Sequence, residues 1–336
     1  MACLKPIAIK VKQANYVTDK GTDGMITVPC GYCHKCRAKK RRDWSYRLEI
    51  EAENAKFGRH FITLTYADHN IPFITELGDT VRGIDKMREY AKAEPKISFQ
   101  QSLIKKDVQL FLKKVRRFQD YHYREKLSNL LEGSVTPKVR FFLCGEYGSK
   151  TSRPHYHILL FNALPKTVEA LPKLWSYKTG NGDIIPRGIT HVGKITPASI
   201  KYVCKYILKS KVEKNKYVIP EFTLMSRGSK KEGTKGIGYQ FFTSEKARYN
   251  LNNSTLLVRN HNNKWQIMPK YYRDKLFPDS DRKIKAYENL VNELNKIEIA
   301  DDDRIEKLGQ DVGYYRLDQI RAFINKQEKT LHNTKF

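Results

Sequence analysis

Apolar and polar positions alternate with a period of two across Phe61-Ile62-Thr63-Leu64-Thr65-Tyr66, where Thr63 and Thr65 interrupt Ile62, Leu64 and Tyr66. This is the pattern of a half-buried strand, whose side chains point to opposite faces in turn. Two more strands, over 139–144 and 155–161, flank a breaker-rich stretch, 145–154, that reads as a loop. Around 99–119 the apolar spacing becomes helical: Val108, Phe111, Leu112, Val115 and Phe118 form one stripe, and Lys113, Lys114, Arg116 and Arg117 turn outward. A second helix, over 197–209, opens with Thr196 as N-cap and Pro197 at its first position. Its core stripe is Ile200, Val203, Cys204, Ile207 and Leu208, and Tyr202, Lys205, Tyr206 and Lys209 take the opposite face. Long helices are also predicted over 281–299 and 314–331.

The resulting β-α-β-β-α order predicts an α+β fold, a central antiparallel β-sheet with helices packed on one face. A Cys-rich element precedes it and a helical C-terminal region follows. The chain is expected to divide into an N-terminal Cys-rich and basic helical element (1–57), the α+β core (58–215), a basic extension of that core (216–278) and a charge-balanced helical tail (279–336).

Charge adds a partner to this picture. The 336 residues carry 63 Lys+Arg against 36 Asp+Glu, a net +27, yet residues 279–336 hold 11 basic and 12 acidic side chains. The first 278 residues therefore carry +28. Such a field attracts nucleic acid and makes binding salt-dependent. Charge alone also suits an anionic membrane surface. No apolar run is long enough to span a bilayer, however, and Met1-Ala2-Cys3-Leu4-Lys5-Pro6 does not open a secretory signal. We therefore expect no membrane partner and a location in cytoplasm.

The chemistry concentrates in Pro154-His155-Tyr156-His157. Two histidines one residue apart on a strand share a face, so His155 and His157 are placed to share one divalent ion. If the two flanking strands pair, Glu146 lies beside them. A carboxylate with two neutral imidazoles suits Mg²⁺ or Mn²⁺ and leaves positions for substrate oxygens. The plain alternative is a His-x-His pair that simply packs. The helix that follows favours the ion: Tyr202 and Tyr206, at i and i+4, can bring both hydroxyls to one bond, and Lys205 and Lys209 can hold phosphates. Tyrosine is a poor nucleophile at its ordinary pKa of ~10. A divalent ion on the phosphate supplies the missing activation, and the set describes phosphodiester transesterification.

Several motifs in order carry a resemblance. They are Val28-Pro29-Cys30-Gly31 with Cys33 and Cys36, Phe61–Tyr66, Asp107-Val108-Gln109-Leu110-Phe111, Cys144-Gly145-Glu146-Tyr147-Gly148, Arg153–His157, Tyr202-Val203-Cys204-Lys205-Tyr206 and Met225-Ser226-Arg227. Through most of its first 275 residues the sequence resembles the replication initiator proteins of small single-stranded DNA phages of the gokushovirus (microvirus) type. Those proteins are members of the His-hydrophobic-His (HUH) endonuclease superfamily.

The resemblance implies an HUH endonuclease core and a rolling-circle initiator that nicks single-stranded DNA at the viral origin. It implies that one of Tyr202 and Tyr206 keeps the 5′ phosphate as a phosphotyrosine and frees a 3′-OH, and that the second rejoins the displaced strand. His155 and His157 match the metal pair and Glu146 the third, acidic ligand. A host helicase and DNA polymerase would be partners, in the cytoplasm of the bacterial host. The stretch 228–236 is longer than the usual connection and reads as a basic loop, and the last sixty residues match weakly.

Two features lie outside that chemistry. Cys30-x-x-Cys33-x-x-Cys36 is too closely spaced for most disulfides, and with Cys3 it forms a candidate structural Zn²⁺ site. His34 competes as a ligand, and iron–sulfur ligation or unmetallated thiols are the other readings. Cys144 and Cys204 read as small buried apolar residues. Basic residues at Arg37, Lys39, Lys40, Arg41 and Arg42, on the helix at 113–117 (Lys113, Lys114, Arg116, Arg117) and at Arg153 are candidate DNA contacts, with a solvated face as the alternative. Trp44 is assigned to the core. Beside the nicking initiator stand two other functions: a non-catalytic DNA-binding regulator on the same basic fold, and a plasmid relaxase or mobilisation nuclease.

Overall fold

The computed structural model describes residues 3–10, 25–128, 138–208, 215–228, 235–278 and 280–307. In chain order its elements begin with β1 (Ile7–Lys10), β2 (Met25–Val28), α1 (His34–Glu53), β3 (Arg59–Tyr66), β4 (Pro72–Thr75) and β5 (Thr80–Arg82). Then come α2 (Ile84–Ala93), β6 (Phe99–Gln101), α3 (Lys105–Ser128), β7 (Arg140–Tyr147), β8 (Pro154–Phe161) and α4 (Pro165–Leu174). The chain continues through β9 (Ser176–Lys178), β10 (Ile184–Pro186), β11 (Gly188–Lys194), α5 (Pro197–Lys205) and β12 (Phe222–Met225). It closes with α6 (Glu245–Asn252), β13 (Leu257–Arg259), β14 (Trp265–Ile267), α7 (Lys270–Leu276) and α8 (Ser280–Lys307).

All sheets are antiparallel, and eight α-helices occur among the described residues, as an α+β chain requires. No described helix is long and apolar enough to cross a membrane. Two compact units are present: Met1–Trp44, Arg248–Asn260 and Lys264–Phe336 form one, and Ser45–Ala247 with His261–Asn263 the other.

The second unit holds the main sheet, ordered β11-β3-β8-β7-β12, with β8 at its centre. Its strands alternate as their sequences dictate. Ile62, Leu64 and Tyr66 of β3, Tyr156, Ile158 and Leu160 of β8 and Phe141 and Leu143 of β7 face one way, and meet Val108, Phe111, Leu112 and Val115 of α3 with Leu171 of α4 and Trp175. The opposite face carries Thr63, His155, His157, Cys144 and Glu146, which the register sets side by side.

Helices do not all lie on one face. The rings of Tyr202 in α5 and of Phe61 and His157 on the sheet meet on the histidine side, so α5 covers the face opposite α3. Sequence spacing gives each helix its apolar stripe but not the face that stripe meets.

Several boundaries also shift. Glu146 stands on β7 itself rather than in the loop, because β7 and β8 pair out to Tyr147↔Pro154. The helix expected around 99–119 is preceded by the short β6 and begins at Lys105. α1 opens at His34, three residues before Arg37. α5 ends at Lys205 and tightens into a 3₁₀ turn, Tyr206–Leu208. In a 3₁₀ turn residues i and i+3 eclipse, which puts Tyr206 over buried Val203, and Tyr206 is itself buried. It therefore leaves the exposed face that uniform helical spacing predicts. α8 contains the predicted 281–299 helix, while 314–331, Lys209 and most of the 228–236 loop lie outside the described residues. Cys144 and Cys204 are buried as small apolar residues.

Under the sheet, one acid anchors the α3 side. Asp107 is 4% exposed and accepts from the Tyr66 hydroxyl at 2.7 Å, and it pairs with Arg82 at 2.9 Å and Arg187 at 3.2 Å. Tyr156 continues the network, with its hydroxyl 3.0 Å from that of Tyr66 and bonded to both the N–H and the carbonyl of Ile104. Removing Asp107 leaves two guanidinium groups without their counter-charge. Asp107→Ala is expected to cost about 3–5 kcal/mol in denaturant unfolding; a loss under about 1 kcal/mol would show the network to be dispensable.

Candidate active site

Three strands and one helix supply the site. Across β3, β8 and β7 the register pairs Thr63 with His157, His157 with Cys144, and His155 with both Thr65 and Glu146. α5 then delivers Tyr202 over this row. Its start is fixed by a capping box in which the Thr196 hydroxyl accepts from Ser199 N–H and Ser199 Oγ accepts from Thr196 N–H, with Pro197 behind the cap.

Glu146 is the junction. His157 Nε2 and the Tyr202 hydroxyl both bond its Oε1 at 2.6 Å, and the Tyr206 hydroxyl donates to that of Tyr202 at 3.2 Å. The two tyrosine rings are 5.5 Å apart, so the i,i+4 pair converges despite the 3₁₀ turn. Phe61 lies parallel to His157 at 5.5 Å and edge-on to Tyr202 at 6.5 Å, and so walls the pocket. Lys205 sits with its ammonium 5.5 Å from the centre of the Tyr202 ring.

Both histidines are held through Nδ1. His155 Nδ1 donates to the Arg153 carbonyl at 2.5 Å, which leaves the Nε2 lone pair free. Thr63 Oγ1 lies 3.0 Å from His157 Nδ1, and a hydroxyl can donate or accept. Thr63 therefore supports the tautomer that bonds Glu146 and equally the one that turns an Nε2 lone pair outward. Burial lowers the pKa of His155, with the Arg153 carbonyl and Glu146 opposing, so it is neutral as a ligand must be. Gly148 keeps room for it: a Cβ there would lie 3.1 Å from His155 Cε1.

The donors of His155, His157 and Glu146 suit a divalent ion in chemistry but are not drawn into one tight group. Among the described residues, the group of three or more candidate ligands whose ligand atoms all lie within 4.8 Å of one another is Cys3, Cys30, Cys33 and Cys36, in the other unit. That cluster could hold a metal such as zinc.

The basic residues differ in availability. Arg153 bonds the Tyr66 carbonyl at 2.9 Å and pairs with Asp68. Lys114 bonds the Ser176 carbonyl at 2.9 Å, and Arg116 reaches the Val139 carbonyl and Ser226 while lying over the Phe141 ring. These three brace the fold. Lys113 and Arg117 are exposed on α3, on the side of the sheet away from the histidines. On α1, Lys39 and Lys40 are exposed, and Arg37, Arg41, Arg42 and Trp44 are half-buried. Thr63 and Phe61 were legible only as strand residues, although period two does put them on the face opposite Ile62 and Leu64.

A family of replication-associated proteins, that of ORF2, matches residues 59–211, the stretch that carries every side chain of this pocket. The chain resembles phage replication-associated proteins. It is 25% identical over 296 residues to the replication-associated protein ORF2 of Spiroplasma virus 4, covering 81% of this chain and 79% of that protein. With the replication-associated protein ORF4 of Chlamydia phage 1 it shares 26% over 258 residues, 70% of this chain and 52% of the relative. The replication-associated protein VP4 of Bdellovibrio phage phiMH2K is 26% identical over 196 residues, 54% and 48% of the two chains. The chain thus spans about half the length of the latter two. No solved structure matches it. The likeness to phage replication initiators expected from the motifs is borne out.

The Tyr202 phenol is pushed well above its ordinary pKa, first by burial and then by the hydrogen bond and charge of Glu146. Both Glu146 effects favour the protonated phenol. In Glu146→Gln, ultraviolet or NMR titration of Tyr202 should move down but stay above ~10, because burial remains. An unmoved titration would show that Glu146 does not control this hydroxyl.

Proposed function

We propose that the protein is a rolling-circle replication initiator, an HUH-type tyrosine nickase that cuts single-stranded DNA at the viral origin and later rejoins it. One observation carries this reading: the unbroken chain of hydrogen bonds Tyr206–Tyr202–Glu146–His157. A buried pair of phenols has no need of a carboxylate and an imidazole for packing alone. Two adjacent hydroxyls beside a carboxylate–imidazole pair are what two successive phosphoryl transfers require.

His155, His157 and Glu146 would hold Mg²⁺ or Mn²⁺, and the charge of that ion, when bound, polarises a backbone phosphate. Tyr202, nearer the histidines, attacks first. Its oxygen forms a bond to phosphorus as the bond from phosphorus to the 3′ oxygen breaks, and the phenol proton ends on that oxygen. The products are a 5′-phosphotyrosine and a free 3′-OH. One phosphodiester replaces another, so the step conserves bond energy and rejoining needs no nucleotide cofactor. A host polymerase extends the 3′-OH behind a host helicase, in the bacterial cytoplasm. Tyr206, bonded to Tyr202, is placed to cut the regenerated origin, and the new 3′-OH then attacks the first phosphotyrosine and closes the displaced circle. Lys205 stands beside the phenol to meet phosphate oxygens, a role that Lys209 would share. The excess of +28 on the first 278 residues draws the strand in. Exposed Lys39, Lys40, Lys113 and Arg117 are open to phosphates.

Cleavage of labelled single strands tiled across the origin, with Mn²⁺ or Mg²⁺, tests the reading. Tyr202→Phe with Tyr206→Phe should abolish cleavage. His155→Ala with His157→Ala should lower it by about 10³-fold or more, several kcal/mol of transition-state charge stabilisation, and leave salt-sensitive binding intact. Cleavage at the wild-type rate in either double variant would overturn the assignment.

A further inference from the structure

We propose that Cys3, Cys30, Cys33 and Cys36 bind one zinc ion that clasps the β1–β2 ribbon to the first turn of α1. The four sulfurs already stand in the required arrangement. All lie within 4.8 Å of one another, with Cys3–Cys30, Cys3–Cys33 and Cys30–Cys36 separations of 3.4, 3.7 and 4.0 Å. Thiolates ~2.3 Å from a tetrahedral zinc are about 3.8 Å from one another. A disulfide would require ~2.05 Å, and all four cysteines are free. A cluster of several iron atoms needs its thiolates spread more widely than a single ion does.

The backbone is shaped for the same end. Cys30 N–H donates to Cys3 Sγ and Cys33 N–H donates to Cys30 Sγ, each at 3.3 Å, which offsets negative charge on the sulfurs. Gly31, at φ +80°, makes the reversal between Cys30 and Cys33 that lets both sulfurs turn inward. Cys36 lies in the first turn of α1, where unpaired N–H groups favour anions.

The ribbon gives the ion its purpose. β1 pairs with β2 from Ile7↔Val28 to Lys10↔Met25, and all four residues of β1 are exposed. A two-stranded ribbon is marginal in water without an apolar face to bury. Cys3 precedes β1 and Cys30 follows β2, so the ion ties together both feet of the ribbon and supplies the cross-link that a core would otherwise provide. With four protein ligands it has no open position, and its role is structural.

Elemental analysis with native mass spectrometry of the full chain, purified without chelator, tests this. One equivalent of zinc is expected; less than half an equivalent, or iron in its place, overturns the proposal. Cys30→Ala with Cys33→Ala should lose the metal, and retention of one equivalent would place it elsewhere. Should that variant not fold, the wild-type chain loaded with Co²⁺ decides: ligand-field bands of tetrahedral thiolate cobalt support the site, and an octahedral spectrum overturns it. Limited proteolysis should cut within residues 1–30 only after zinc is stripped, and equal cutting with and without the metal would refute the clasp.

Discussion

The antiparallel register of β7 against β8 is the constraint on which the site depends. It sets Glu146 opposite His155 and Cys144 opposite His157, so a carboxylate and two imidazoles share one face without any loop having to hold them. A slip of one residue would send all three to the α3 side of the sheet. Glu146 then does the local work: its Oε1 takes a hydrogen bond from Tyr202 and another from His157, so the nucleophile and the ligand pair are joined through one buried oxygen.

The sheet divides the labour between its two faces. On the α3 side, packing is apolar and is anchored by Asp107 with its two arginines and Tyr66. Tyr66 and Tyr156 belong to the strands that carry Thr63, His155 and His157 on their other side, so the Asp107 network fixes the backbone from which the site residues project. A buried, fully paired cluster is costly to break and tolerates little displacement. Such rigidity is what a site needs when reacting groups must be held to fractions of an ångström.

Much of this was legible in the sequence because the relevant rules are local. Period two placed His155 and His157 together, and spacing i,i+4 placed Tyr202 beside Tyr206. Strand pairing across a short connection brought Glu146 to the histidines. What escaped was set by distant partners. The face that α5 covers is decided by contacts between residues some forty-five positions apart, and the burial of Tyr206 by a change of helical pitch in its last turn. Lys114, Arg116 and Arg153 looked like free cations, yet backbone carbonyls from remote segments claim them, and no sequence pattern marks a carbonyl as an acceptor. Asp107 read as part of a motif, and its arginine partners lie on other elements.

The central claim is that Tyr202, bonded to Glu146, is the first nucleophile. Peptide mapping by mass spectrometry of the chain trapped with single-stranded origin DNA and Mn²⁺ tests it most directly. The account predicts a 5′-phosphate-linked nucleotide on Tyr202, moving to Tyr206 only on a second cleavage. An adduct on a tyrosine outside this pair, such as Tyr271 or Tyr272, or cleavage with no protein–DNA bond at all, would contradict it.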